Sequence, residues 1–176
     1  MPHTNQSNRA GFTLLAATAL VLTGCAGADL STGSIAPYEP ANSFYPYGYQ
    51  DTLVAENQHR VSASGSPRAS KARLEKIALT RAAEIGVEKK KKFFMVSNLQ
   101  HGVACQKKLP PGHKRDGVPE SARPTVTVDV VYADAAAGPE YRETATSLAE
   151  SKAALAADTS VAKVSQVDEL KGQCGV

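Results

Sequence analysis

Tryptophan is absent and aromatic residues make up only 6% of the 176 residues, so the 42% hydrophobic content, much of it Ala, supports a core of modest size. One-sided charge is lacking as well. The net charge is +3, and Arg9 is the only charged residue among the first 24, which leaves about +2 beyond them. That balance is too weak to argue for a nucleic-acid partner. Missing too are G-x-S-x-G, H-E-x-x-H, a Walker loop and any paired-carboxylate constellation, and with them the common routes to hydrolysis and phosphoryl transfer. The expectation is a protein that is not an enzyme and carries no resident cofactor or metal. Long apolar runs are also lacking: residues 11–22 (GFTLLAATALVL) form a run of about a dozen, whereas a bilayer-spanning helix needs about 20.

That short run has another reading. It follows a polar stretch with one positive charge, residues 1–10, and ends directly at Leu22, Thr23, Gly24 and Cys25. This is the anatomy of a cleavable signal segment. The tetrapeptide LTGC resembles the lipobox of bacterial lipoproteins. The resemblance implies cleavage between Gly24 and Cys25, a diacylglycerol on the Cys25 sulfur and an N-acyl chain on the new terminus. Two or more chains anchor a protein stably where one does not. Ala26 in the next position resembles outer-membrane lipoproteins rather than those retained at the inner membrane. The implied location is therefore periplasm-facing and lipid-anchored, with the membrane as one partner and an envelope protein as another.

With Cys25 consumed, Cys105 and Cys174 remain. In an oxidising compartment a bridge between them is the default expectation, beside two unpaired thiols or bonds to other proteins. His101, Cys105 and His113 share one segment, and Cys174 could complete a His2Cys2 set, but the H-x3-C-x7-H spacing matches no zinc module.

Along the chain, residues 25–55 are rich in Pro, Ser, Gly and Tyr and read as a tether, in which Tyr45, Tyr47 and Tyr49 would share one face of an extended segment. They form either a strip for a partner or glycan, or linker residues that pack on the domain. Residues 58–64 alternate like a strand. Ser66 and Pro67 suit the start of a helix over residues 68–85, whose Leu74, Ile77, Ala78, Ala82 and Ile85 form one stripe and which Gly86 can close. Four lysines, residues 89–92, precede a short apolar strand at 93–97. Residues 98–123, broken by Pro and Gly, read as a long loop; residues 125–132 (TVTVDVVY) as the clearest strand; residues 144–157 as an Ala-rich helix; residues 161–176 as a polar tail. Arg81 and Glu84, at i and i+3, are placed for a structural ion pair.

These elements resemble a family of small lipoproteins of unknown function found mainly in alphaproteobacteria. The likeness covers residues 48–155. It is carried by Gly48 and Tyr49, by His59, Arg60, Val61 and Ser62 through Gly65, by Leu79 to Glu84 (LTRAAE), by Phe93, Phe94, Met95 and Val96, and by Gly138, Pro139, Glu140 and Tyr141 after the valine strand. The resemblance implies no activity. The 98–123 segment departs from it, being cationic with a cysteine where the family tends to be glycine-rich.

The expected architecture is α+β over residues 56–160, a small sheet of about three strands covered by helices in the order β-α-β-loop-β-α. The expected role is a non-catalytic interaction or assembly module at the envelope; the alternative is a periplasmic ligand- or metal-binding, or catalytic, domain built on residues 101–113.

Overall fold

The computed structural model describes residues 36–106 and 121–175. Gly24, Cys25 and the rest of the expected signal segment, together with His113, lie outside them. The described residues form eight elements: β1 (Gly48–Ala55), β2 (Gln58–Ser64), α1 (Lys71–Glu88), β3 (Phe93–Gln106), β4 (Ser121–Ala133), β5 (Arg142–Glu143), α2 (Thr144–Ala156) and α3 (Val164–Cys174). The strands form one sheet in the order β1-β2-β4-β3-β5, antiparallel throughout. The α+β class is as expected. The sheet has five strands rather than about three, and the order is β-β-α-β-β-β-α-α.

β4 organises the core. Its even-numbered residues Val126, Val128, Val130 and Tyr132 are at most 3% exposed, while its odd-numbered ones look the other way. Register brings Val61 of β2 opposite Val128 and Ala63 opposite Val126; on the other side Val96 meets Val130 and Phe94 meets Tyr132. The stripe of α1 lies on this valine floor, with Leu74, Ile77, Ala78 and Ala82 wholly buried, and the Tyr132 hydroxyl donates to the Ala82 carbonyl at 2.7 Å. α2 packs on α1 and contributes Leu155 to the same core.

The ends of α1 differ from expectation by a turn and a few residues. Ser66 closes a turn with Ala69, and it is Ser70 whose hydroxyl accepts from Arg73 N at 3.1 Å and caps the helix. At the other end Gly86 does not stop the helix. Lys90 does, at φ 57°, with Lys91 N donating to Gly86 O and Lys90 N to Val87 O, which is the Schellman arrangement. Gly86 is small for another reason: a Cβ there would lie 2.4 Å from Thr144 Cγ2 at the close approach of α1 and α2.

The segment read as a tether enters the fold well before residue 56. Ala36 is buried, Tyr38 stacks obliquely on Tyr49 with centroids 5.0 Å apart, and Tyr49 exchanges backbone bonds with Glu39 and Ala41. Gly48 permits that approach at φ 116°, because a side chain would run into Glu39 O. Tyr45 and Tyr47 meet edge to face at 5.1 Å, so the three tyrosines do not form one strip. The expected loop is likewise replaced over residues 98–106 and 121–123 by the extension of β3 and β4. The polar tail contains α3, in which Leu170 is the one residue buried.

Candidate functional site

The outer edge of β3, beyond its short pairing with β5, is one of two open edges of the sheet, the other being β1. Tyr132 N donates to Asn57 O and Gly65 N to Pro124 O, so the even residues of β4 bond toward β2 and the odd ones toward β3. Asp129, Thr127, Thr125 and Arg123 stand opposite Asn98, Gln100, Gly102 and Ala104. The alternate residues Leu99, His101, Val103 and Cys105 therefore turn their N–H and C=O groups away from the sheet. β5 covers only Phe93 and Phe94, and among the described residues nothing pairs with β3 beyond them. A bulge at Ser97 resets the side-chain alternation, which places Leu99, His101, Val103 and Cys105 on the helix side. Leu99 is 40% exposed. Natural edges are usually blunted by lysine, proline or a covering element; between residues 93 and 106 there is no Lys, Arg, Asp, Glu or Pro.

Beside this edge, a cleft of about 130 Å³ opens between β3, β4 and α3, with Lys71, His101, Val103, Gln166 and Glu169 among its walls. His101 Nε2 lies 3.0 Å from Glu75 Oε1 of α1. The far end is closed covalently by the Cys105–Cys174 disulfide, which spans 69 residues and ties α3 to β3. With both sulfurs bonded to each other, neither is available as a thiolate for the His2Cys2 alternative in this state. No group of three or more His, Cys, Asp or Glu side chains suited to a metal occurs among the described residues.

Arg81 and Glu84 do form an ion pair, at 2.9 Å, within a wider cluster. Arg81 also meets Asp51 at 2.9 Å and Glu88 at 2.7 Å and lies over the Tyr49 ring, while Glu84 accepts from Tyr38 Oη and Lys152 Nζ. Burial alone would lower the guanidinium pKa, but hydrogen bonds to Glu88, Asp51 and Glu84 raise it above the ordinary arginine range. Burial would raise Glu84, and Arg81, Tyr38 and Lys152 outweigh it and hold that carboxyl low. Tyr38 is pushed far up, by burial first and then by its bond to Glu84. The cluster joins the N-terminal segment, β1, α1 and α2, and its chemistry is that of a clamp.

A second buried group had no signal in the sequence. His59, alternating inward on β2, is 6% exposed with neither ring nitrogen hydrogen-bonded and its ring edge-on to Tyr132 at 5.7 Å. The β3 edge did have one: an uncharged 14-residue strand flanked by Lys89–92 and by Lys107 and Lys108 is the pattern of charged residues guarding a strand they do not enter.

No protein-family model, curated protein or solved structure matches this chain.

Proposed function

We propose that this chain is a cell-envelope lipoprotein, cleaved before Cys25 and held by diacylglycerol and N-acyl chains on that residue, whose domain captures an extended segment of another envelope protein without doing chemistry on it. The observation that carries the binding role is the outer edge of β3 from Leu99 to Cys105, uncharged and unpaired among the described residues. Strand addition there would supply backbone hydrogen bonds for affinity, and the adjoining cleft would read alternate side chains of the guest. The Cys105–Cys174 bridge fits an oxidising compartment, and LTGC with Ala26 favours the outer membrane. The alternative of a ligand site built on residues 101–113 retains one supporting feature, the cleft beside His101.

A photo-crosslinking amino acid at Leu99, compared in living cells with one at Thr52 on the opposite edge, tests the edge. The expected result is one discrete adduct from position 99 that vanishes in Val103→Pro, a substitution that removes an outward N–H and spares the bonds to β4. Equal adducts from both edges, or an adduct that survives Val103→Pro, would refute the reading.

A further inference from the structure

On the sheet face away from the helices, small residues leave a hollow. Gly48, Ser64 and Thr125 stand opposite one another across β1, β2 and β4, with Gln50 and Ser62 in the next row. The turn at Asn42 and Pro46 rises over one side, enclosing a cleft of about 230 Å³. Arg123 lies in it, paired across the ladder with Ala104, whose methyl group fills little of the space beside the guanidinium.

Arg68 and Arg142 are exposed and, like Arg123, make no ion pair among the described residues, but Arg123 is partly buried. Arg60 is matched by Asp129, Arg81 by three carboxylates, and Arg73 by the carbonyls of Ala36 and Asp158. Arg123 has no carboxylate within reach among the described residues, and its Nε is buried with no hydrogen-bond acceptor. A buried donor on a charged group is expensive to leave unpaired. The walls add further donors and no acid: Asn42 spends its Oδ1 on the N–H groups of Phe44 and Tyr45, which leaves its amide hydrogens free, and Gln50 and Thr125 line the same space. A fixed cation, neutral donors around it and an empty volume describe a receptor for an oxyanion.

We infer that this cleft binds a phosphate group, with Arg123 as its principal contact. Two sources present that group, a lipid headgroup and free phosphate. Phe44, in the turn that roofs the cleft, is 97% exposed, as suits an aromatic side chain entering a membrane interface. The site is separate from the β3 edge and does not depend on it.

The test uses the acylated chain, 15N-labelled, in neutral-detergent micelles, with the Arg123 Nε–H resonance of the parent and, in the parent and every variant, the side-chain amide resonances of Asn42 and Gln50 in the cleft followed during titration with inorganic phosphate and, separately, with phosphatidylglycerol doped into the micelles. A saturable shift with inorganic phosphate identifies a free-phosphate site; a shift with the lipid alone identifies a headgroup site. Arg123→Gln is expected to weaken binding by about tenfold or more, as loss of a charge-assisted contact does. Arg60→Gln on the same face should bind as the parent does. If Arg123→Gln fails to fold, Arg123→Lys serves in its place, because an ammonium lacks the planar fork and should bind about tenfold more weakly. No shift with either probe, parental affinity in the Arg123 variants, or an equal loss in Arg60→Gln would each overturn the inference.

Discussion

His59 and Gly86 show how much a single position can decide in a small core. Burial lowers the His59 pKa, Lys89 and Arg81 lower it further, and Asp51 and Glu88 offset part of this. The unfolded chain, near the ordinary value of about 6.5, therefore takes up a proton before the folded one does. Stability is full above that value, falls as pH drops from it to the depressed folded pKa, and is flat below. Glu84 and Asp158, both held low, act in a different window, contributing above their unfolded values and losing that contribution in more acidic solution. Urea unfolding at about pH 7.5 and about pH 5.5 should show a loss in the parent that His59→Leu largely removes, with the variant within about 1 kcal/mol of the parent at the higher pH because an unpaired polar ring gives way to an apolar side chain. An unchanged loss in His59→Leu would exclude this assignment. At Gly86 two effects compete. Alanine favours a helix by about 1 kcal/mol, but its methyl would press on Thr144 Cγ2, and overpacking of this kind costs about 1–3 kcal/mol. Gly86→Ala should thus be destabilising, and Thr144→Ser, which removes Cγ2 and keeps the hydroxyl bonded to Lys91 O, should recover part of the loss in a double-mutant cycle.

Among the elements, α3 depends most on a covalent bond. Leu170 is its one buried residue, and beyond the bridge it is held by the short Ala69–Val161 pairing, with Ala162 N donating to Arg68 O at 2.8 Å. Closing a loop of this length stabilises a fold by about 4 kcal/mol on the chain-entropy model. The sheet and α1, however, bury their core without α3. Cys174→Ser should therefore raise amide exchange throughout α3 and around the cleft, while the amides of β4 stay protected up to global unfolding. Uniform loss of protection would show that α3 is integral to the core. The same contrast explains what could be read before the structure was known. β2, α1, β4 and α2 announce themselves because each presents one apolar face to a neighbour with the proper period. β1 does not, since as an edge strand it leaves six of its eight residues exposed. The outer half of β3 is hidden for a related reason: an edge partly bare on both faces has no alternation to display, and the Ser97 bulge breaks the little there is. The disulfide and the Arg81–Glu84 pair were legible from cysteine parity and helical spacing. Arg123 was not, because its significance lies in partners it lacks, and only the fold reveals those.

For the whole molecule, the proposed attachment to a membrane requires an anchor. No helix among the described residues is long and apolar enough to cross one. The described residues begin at Ala36, eleven positions beyond Cys25. A chain of that length reaches at most about 40 Å, so an acylated Cys25 would keep both the β3 edge and the Arg123 cleft close to the bilayer while leaving the water-facing surface intact. Detergent phase separation tests this directly. The mature protein should enter the detergent-rich phase, and mass analysis of its N-terminal peptide should find residue 25 carrying glycerol-linked and amide-linked acyl chains. After cleavage at a protease site inserted at Gly33, the domain should move to the aqueous phase with its unfolding midpoint unchanged, since the described core begins at Ala36 and the disulfide joins Cys105 to Cys174. A domain that stays with detergent after the cut would owe its attachment to its own surface, and an uncut protein found in the aqueous phase would have no acyl anchor at all.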